Sequence, residues 1–220
     1  MRQYGRFRRY KVALSGGSSV ISEPTTARRP AHRPSRRDDV LAAGTVEFVE
    51  RGFASVSVTD IAKRAGMTPA AVYYHFPTKE DVLLALVGRT GDAITELCGQ
   101  ALEAAAVEDA VPALVDHFLA WLEAHGPDAR LYYQSSQGAT ADVEGLRREQ
   151  RRHQVTAMLK GPLKAARGSM SATELRVVAI ALLVLFGEVT RLLSDGRPTQ
   201  GRRDAVRAEA VDLGLRLAKP

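Results

Sequence analysis

The stretch Val56-Ser57-Val58-Thr59-Asp60-Ile61-Ala62-Lys63-Arg64-Ala65-Gly66-Met67-Thr68-Pro69-Ala70-Ala71-Val72-Tyr73-Tyr74-His75-Phe76-Pro77-Thr78-Lys79-Glu80-Asp81 decides the fold, because three helix starts follow one another in it. Ser57 can cap the first, with Asp60 closing a capping box and Val56 stapling onto Ile61. Its apolar positions Val58, Ile61, Ala62 and Ala65 keep helical spacing for two turns, and Gly66 then supplies a residue able to take positive φ. Thr68 caps a second short helix that Pro69 begins, where a missing N–H costs nothing, and Met67 can staple against Val72. Pro77 stops that helix near Phe76. Thr78 to Asp81 is a third cap with acids in its first turn, opening a long helix through Val82, Leu83 and Leu86.

Upstream, Val40, Leu41, Gly44 and Phe48 share one helical face, and Gly52 stands where a helix would end in the left-handed conformation. The spacing predicts a helix, a glycine turn and a second helix braced by a helix before them. This is the helix-turn-helix arrangement, in which the second helix lies in the major groove of DNA. Val58, Ile61, Ala62, Ala65, Val72 and Phe76 hold the unit together, while Pro69, Ala70, Ala71, Tyr73 and Tyr74 include the positions left to face outward. Small outward residues allow close approach to base edges and thymine methyl groups, and Tyr73 adds a hydroxyl. Thr68, Lys79 and the amides opening the helices can bind phosphates.

At Thr59-Asp60-Ile61-Ala62, Ala65 to Pro69 and Val72 to Glu80, with Phe48, Gly52 and Phe53 upstream, the chain resembles the TetR family of bacterial regulators. The resemblance implies DNA contacts at Ser57, Val58 and Thr59, at Thr68, Pro69, Ala70, Ala71, Tyr73 and His75, and at Lys79. It also implies a double-stranded, quasi-palindromic operator bound by a homodimer. Pro69-Ala70-Ala71 departs from the polar residues that many members carry there, which shifts base readout to Tyr73, methyl contacts and DNA shape. Read without the family, Tyr73, Tyr74 and Phe76 are more ordinary as core aromatics. Phe76 is expected in the core, Tyr74 partly packed, and His75 either at a phosphate or in packing.

The composition of the 220 residues agrees with an all-α protein: 45% are hydrophobic, 6% aromatic, and alanine and leucine are abundant. The net charge of +6 is unevenly placed. Residues 1–37 hold ten basic side chains against Glu23, so the remainder carries 21 basic and 24 acidic residues. Residues 1–35 mix Arg, Ser, Gly and Pro without a period and are expected to be a disordered extension, either an arm along DNA or an inert segment from a start assigned too far upstream. A helix-turn-helix domain is expected over 36–81 and a helical effector-binding and dimerisation domain over 82–220. Cys98 has no partner for a disulfide, the apolar run Val177 to Phe186 is short for a bilayer, and the N-terminus lacks a secretory pattern. These point to the cytoplasm.

Helices are predicted at 112–125, 128–137, 141–167, 171–195 and 200–218. By the resemblance the last two form the dimer, and the wide apolar face of Val177, Val178, Ile180, Ala181, Leu182, Val184 and Leu185 supports this, with burial inside one chain as the alternative. Phe118, Trp121, Leu122, Tyr132 and Tyr133 are the candidate effector pocket, or else plain core. Arg147, Arg148, Arg151 and Arg152 either face an anion or form a solvated face beside Glu144 and Glu149. No glycine loop for phosphates, metal spacing among the histidines or nucleophile motif points to catalysis, a metal or a cofactor. The expectation is a repressor released from its operator by a small molecule acting through the helix after Pro77. The alternative is a regulator whose C-terminal half serves only dimerisation or protein contacts, and a helical enzyme is the remote one.

Overall fold

The computed structural model describes residues 36–99, 107–136, 139–164, 170–194 and 198–218; the expected disordered extension, 1–35, lies outside them. The described residues are helical with no strand, as the composition suggests. Helices α1 (Arg36–Arg51), α2 (Val58–Arg64) and α3 (Pro69–His75) precede a long α4 (Lys79–Gly99). After these come α5 (Val107–Ala124), α6 (Gly126–Arg130), α7 (Ala141–Lys160), α8 (Ala172–Ser194) and α9 (Gln200–Leu217).

The starts are set by local chemistry. Ser57 and Asp60 form the reciprocal capping box, and Thr68 Oγ1 accepts from the Ala71 amide at 3.3 Å. Thr78 and Asp81 repeat the box at α4, Ser171 and Glu174 at α8, and Thr140 and Thr199 cap α7 and α9. Gly52 (φ 78°) and Gly66 (φ 63°) take the left-handed turns that end α1 and α2.

Three boundaries differ from expectation, among them that of the helix expected over 141–167, which ends at Lys160. The helix expected from 112 begins at Val107, with Pro112 inside it. The helix expected over 128–137 is α6 running directly into a π-helical turn, Leu131–Ser135, closed by the Ser136 N–H on the Leu131 carbonyl at 2.9 Å. The wider turn buries both Leu131 and Tyr132. Arg147 stabilises it by donating to the Tyr132 carbonyl and to Ser136 Oγ (2.9 Å), with its guanidinium 4.7 Å from the Tyr132 ring centre.

Helix α4 joins the two ends of the fold. Its first half packs on α1, where a Cβ added to Gly44 would stand 2.8 Å from Val82. Its remaining length lies along α7 through Gly88, Gly91 and Gly99, which face Leu146, Gln150 and Ala157. The Gln150 amide sits directly over Gly91 and donates to the carbonyls of Val87 (3.2 Å) and Gly88 (3.0 Å). Gln154 donates to the Gly91 carbonyl and the Tyr132 hydroxyl, both at 3.3 Å. Cys98, fully buried nearby, has its thiol pushed up to about 12 by desolvation.

The apolar run judged too short for a bilayer belongs to a 23-residue helix, α8, which is long and apolar enough to cross one by length and composition. In the fold one side of α8 (Leu175, Val178, Ala179, Leu182, Phe186, Val189) is buried in the core.

Gly91→Ala is expected to cost about 1–3 kcal/mol, because its methyl must displace a buried, hydrogen-bonded amide from a close-packed contact. Urea denaturation checks this. Adding Gln150→Ala to that variant should recover part of the loss, a coupling that two independent sites would not show.

Candidate nucleic-acid interface

Helices α2 and α3 are each two turns long, too short to be stable alone, so tertiary contacts must fix their orientation. Val56, Val58, Ile61, Ala62, Val72 and Phe76 are buried together with Phe48 of α1, and Met67 packs on them. An ionic clamp adds direction. Glu47, buried on α1, accepts from Arg64 of α2 at 2.6 Å and from Arg51 at 2.9 Å; Arg64 also meets Glu50 at 2.7 Å and Arg51 meets Asp60 at 3.1 Å. The Arg64 hydrogen bond holds the Glu47 carboxyl below its usual range against the opposing effect of burial, with Arg51 assisting. Asp60 is held far below that range by the Ser57 hydroxyl, then by the Ser57 N–H and Arg51.

This frame leaves one face of α3 outward. Pro69 and Ala70 are exposed, Tyr73 is 52% exposed and Tyr74 86%. Ala71 and His75 are half-buried, and the His75 ring meets that of Tyr74 edge-on at 5.2 Å. Thr59 and Lys63 of α2 are exposed on the same unit. Tyr74, expected to be partly packed, is the most open of the aromatics, whereas Phe76 is core as expected, with the Arg37 guanidinium 4.7 Å from its ring centre.

Several expected DNA contacts have other duties in the structure. Val58 is only 8% exposed and points into the core. Ser57 uses its hydroxyl both to accept from the Asp60 amide and to donate to the Asp60 carboxylate. Lys79, expected at a phosphate, turns its ammonium inward. It donates to the carbonyls of Phe53 (2.9 Å), Ala54 (3.3 Å) and Val56 (2.9 Å) and lies 4.5 Å from the centre of the Phe53 ring. An ammonium has three protons, and these carbonyls take all of them. The lysine thereby ties the start of α4 to the 3₁₀ turn Phe53–Ser55 ahead of α2. Nothing in its local spacing signalled this role, since the acceptors lie 23 to 26 residues away.

The expected effector residues come together around a set of packed aromatic rings. Phe118 stacks on Phe186 at 4.0 Å and 4°, with Trp121 and Tyr133 at 6.0 and 6.2 Å. Tyr132 meets Tyr133 edge-on, and Leu122 is buried. Phe186, the ring that fills this cluster, lies 68 residues from Phe118 and was assigned only to an apolar run. A cavity of about 600 Å³ lies elsewhere, between α7 and α8, and involves none of these side chains.

The family profile described as bacterial regulatory proteins, tetR family, matches residues 40–86, covering α1 to the first turns of α4. The activator FasR of Mycolicibacterium smegmatis is 30% identical over 104 residues, 47% of this chain and 48% of that protein. The repressor BepR of Brucella suis is 37% identical over 62 residues (28% and 30%), and the regulator EthR of Mycobacterium tuberculosis 41% over 76 residues (33% and 35%). The chain thus matches less than half the length of each of these relatives. A tetR-family regulatory protein from Rhodococcus RHA1 superposes with a TM-score of 0.71 over 85% of this chain and 98% of its own, at 20% identity. PfmR of Thermus thermophilus gives 0.66 over 80% and 97%, at 21%. At these identities the likeness is one of fold.

Two measurements probe the clamp and the lysine. Asp60 and Glu47 have folded pKa values below their unfolded ones, so their contribution is complete above about pH 5 and is lost as pH falls, the unfolded chain taking up protons first. The urea midpoint should therefore drop on acidification below about pH 5, and less steeply in Asp60→Asn. Lys79→Met should lose about 1–3 kcal/mol by orphaning carbonyls, yet leave the salt dependence of DNA binding unchanged; a lysine on a phosphate would lower that slope by about one.

Proposed function

We propose that the chain is a sequence-specific DNA-binding transcriptional regulator of the TetR family acting in the cytoplasm, a reading supported by the match of residues 40–86 to that family's profile. The observation that carries this reading is the outward face of α3: a capped two-turn helix whose inner side chains are buried while Pro69, Ala70, Tyr73 and Tyr74 meet solvent. Exposed aromatic rings cost free energy in water, and here they stand beside small residues that admit a close approach to a groove. In this reading Thr59, Thr68, Pro69, Ala70, Ala71, Tyr73 and His75 face DNA. Val58, Ser57 and Lys79 hold the helices that do so. The relatives named above are regulators, which supports a reading without catalysis.

A homodimer completes the proposal. Val177 (59% exposed), Ile180 and Val184 (57%) form a helical stripe on α8, and Leu213 and Leu217 add exposed apolar surface on α9. A second copy packed on this face would present two α3 helices to successive major grooves, about 34 Å apart, and hence to a quasi-palindromic operator. Relatives of both signs are named, an activator and a repressor; a repressor is the reading to be tested, by transcription from a template with the operator across its promoter.

The stacking of Phe118 on Phe186 supports the second reading, in which the C-terminal half serves dimerisation rather than an enclosed effector pocket at Phe118, Trp121, Leu122, Tyr132 and Tyr133. A path for control exists nevertheless. Asp128 of α6 accepts from Thr45 of α1 at 3.0 Å and from Arg89 of α4 at 3.3 Å, so movement of α6 bears on both helices that frame the reading unit. Three residues, Phe76 to Thr78, separate α3 from α4, rather than Pro77 alone.

The purified chain should bind DNA flanking its own gene at least ~10³ more tightly than unrelated DNA at the same salt; equal affinity for both would sink the proposal. Tyr73→Ala should weaken the specific complex by about 1–3 kcal/mol and leave non-specific binding unchanged. Val177→Glu with Val184→Glu should yield a monomer by sedimentation and lose specific binding with it.

A further inference from the structure

The cavity of about 600 Å³ between α7 and α8 is lined chiefly by cations. Arg148, Arg151 and Arg152 stand on successive turns of α7, Arg176 faces them from α8, and Val155 and Ile180 form the apolar part of the wall. The opposite face of α7 is buried on α4 through Val143, Gln150, Gln154 and Met158, so packing fixes which way these arginines project. Two other charged groups line the cavity, Glu144 and Arg147. They face each other at 3.9 Å, and Arg147 is also bound to the π-helical turn.

Arg148, Arg151, Arg152 and Arg176 gather around one cavity, and like Arg36, Arg37, Arg130 and Arg202 they have no carboxylate at ion-pair distance among the described residues. Arg51, Arg64, Arg89, Arg191, Arg203, Arg207 and Arg216 each lie within ion-pair distance of a carboxylate. Like charges one turn apart on a helix repel each other and destabilise it. Residues 38–220 carry more acids than bases, so this cationic wall runs against the balance of its surroundings. A concave surface with an apolar wall concentrates such a field, and guanidinium forks match phosphate and carboxylate oxygens two at a time. The volume is that of a small-molecule site.

We propose that the groove between α7 and α8 binds a small organic polyanion, its phosphate or carboxylate groups on Arg148, Arg151, Arg152 and Arg176 and its apolar part against Val155 and Ile180. Four guanidinia with no carboxylate partner among the described residues call for a ligand of at least two negative charges. Ile180 also belongs to the exposed stripe of α8, so the groove opens beside the face proposed for a second copy. The inference stands on the groove alone and is tested without DNA, so its failure is distinct from failure of the regulatory reading.

The test is calorimetric titration of the full chain with inorganic pyrophosphate and, separately, citrate, at constant ionic strength, with acetate as the monoanion control. Saturable binding of either polyanion is expected, and the stronger of the two assigns the anionic group. Arg151→Gln with Arg152→Gln and Arg176→Gln should weaken it at least tenfold. The charge-matched Arg6→Gln, Arg8→Gln and Arg9→Gln, in the basic N-terminal segment, should change it less than twofold. Should the groove variant fail to fold, phenylglyoxal modification of the unaltered chain decides: the bound polyanion should slow reaction at the four groove arginines and leave exposed Arg130 unaffected. Absence of saturable binding, equal competition by acetate, equal loss in both triple variants, or protection that does not single out the groove would overturn the proposal.

Discussion

The close approach of α4 to α7 is the constraint on which the rest of the structure depends. Glycines at 88, 91 and 99 remove side chains from one edge of α4, and the Gln150 and Gln154 amides occupy the space while bonding the helix backbone beneath them. The Nε2 donors of Gln150 and Gln154 meet the α4 carbonyls only in this register, whereas a purely apolar seam can slide. Fixing α4 along its length fixes its first turn. That turn carries the lysine that fastens the 3₁₀ segment before α2 and, through Thr78 and Asp81, the exit from α3. The reading unit therefore inherits its position from contacts far from the surface it presents.

Much of this was legible in the sequence because it is local. Caps at Ser57, Thr68 and Thr78, the glycines at 52 and 66, and the inward periodicity of Val72 and Phe76 depend on neighbours within four residues. What was not legible depends on distant partners. Lys79 has acceptors that no local pattern identifies, and Glu47 sits on a buried face because Arg64, 17 residues on, meets it there. The same holds for Phe118: its helical stripe is visible, but whether the stripe lines a cavity or a filled core depends on Phe186 in another helix. A π-helical turn is likewise invisible to a period of 3.6, and the π turn here keeps its place through Arg147.

Charge is used in two opposite ways in this fold. Around α1 and α2, acids and bases interlock across helices, and each carboxylate held at low pKa records a partner that orients a short element. Along α7, guanidinia accumulate on the side away from α4. The contrast is informative because arginine is abundant throughout: Arg51 and Arg64 each face carboxylates, whereas Arg148, Arg151 and Arg152 face none among the described residues.

The buried thiol of Cys98 has a practical corollary. Desolvation leaves it protonated at neutral pH and packing shields it from reagents, while thiolate chemistry requires an ionised, accessible sulfur. A cysteine introduced on the exposed face of α3 or α8 would be the one reactive thiol among the described residues, so spin labels or fluorophores can be attached there with the native sequence otherwise intact. The chain is in this respect ready for distance measurements that test whether two copies pair, in solution and in the presence of DNA.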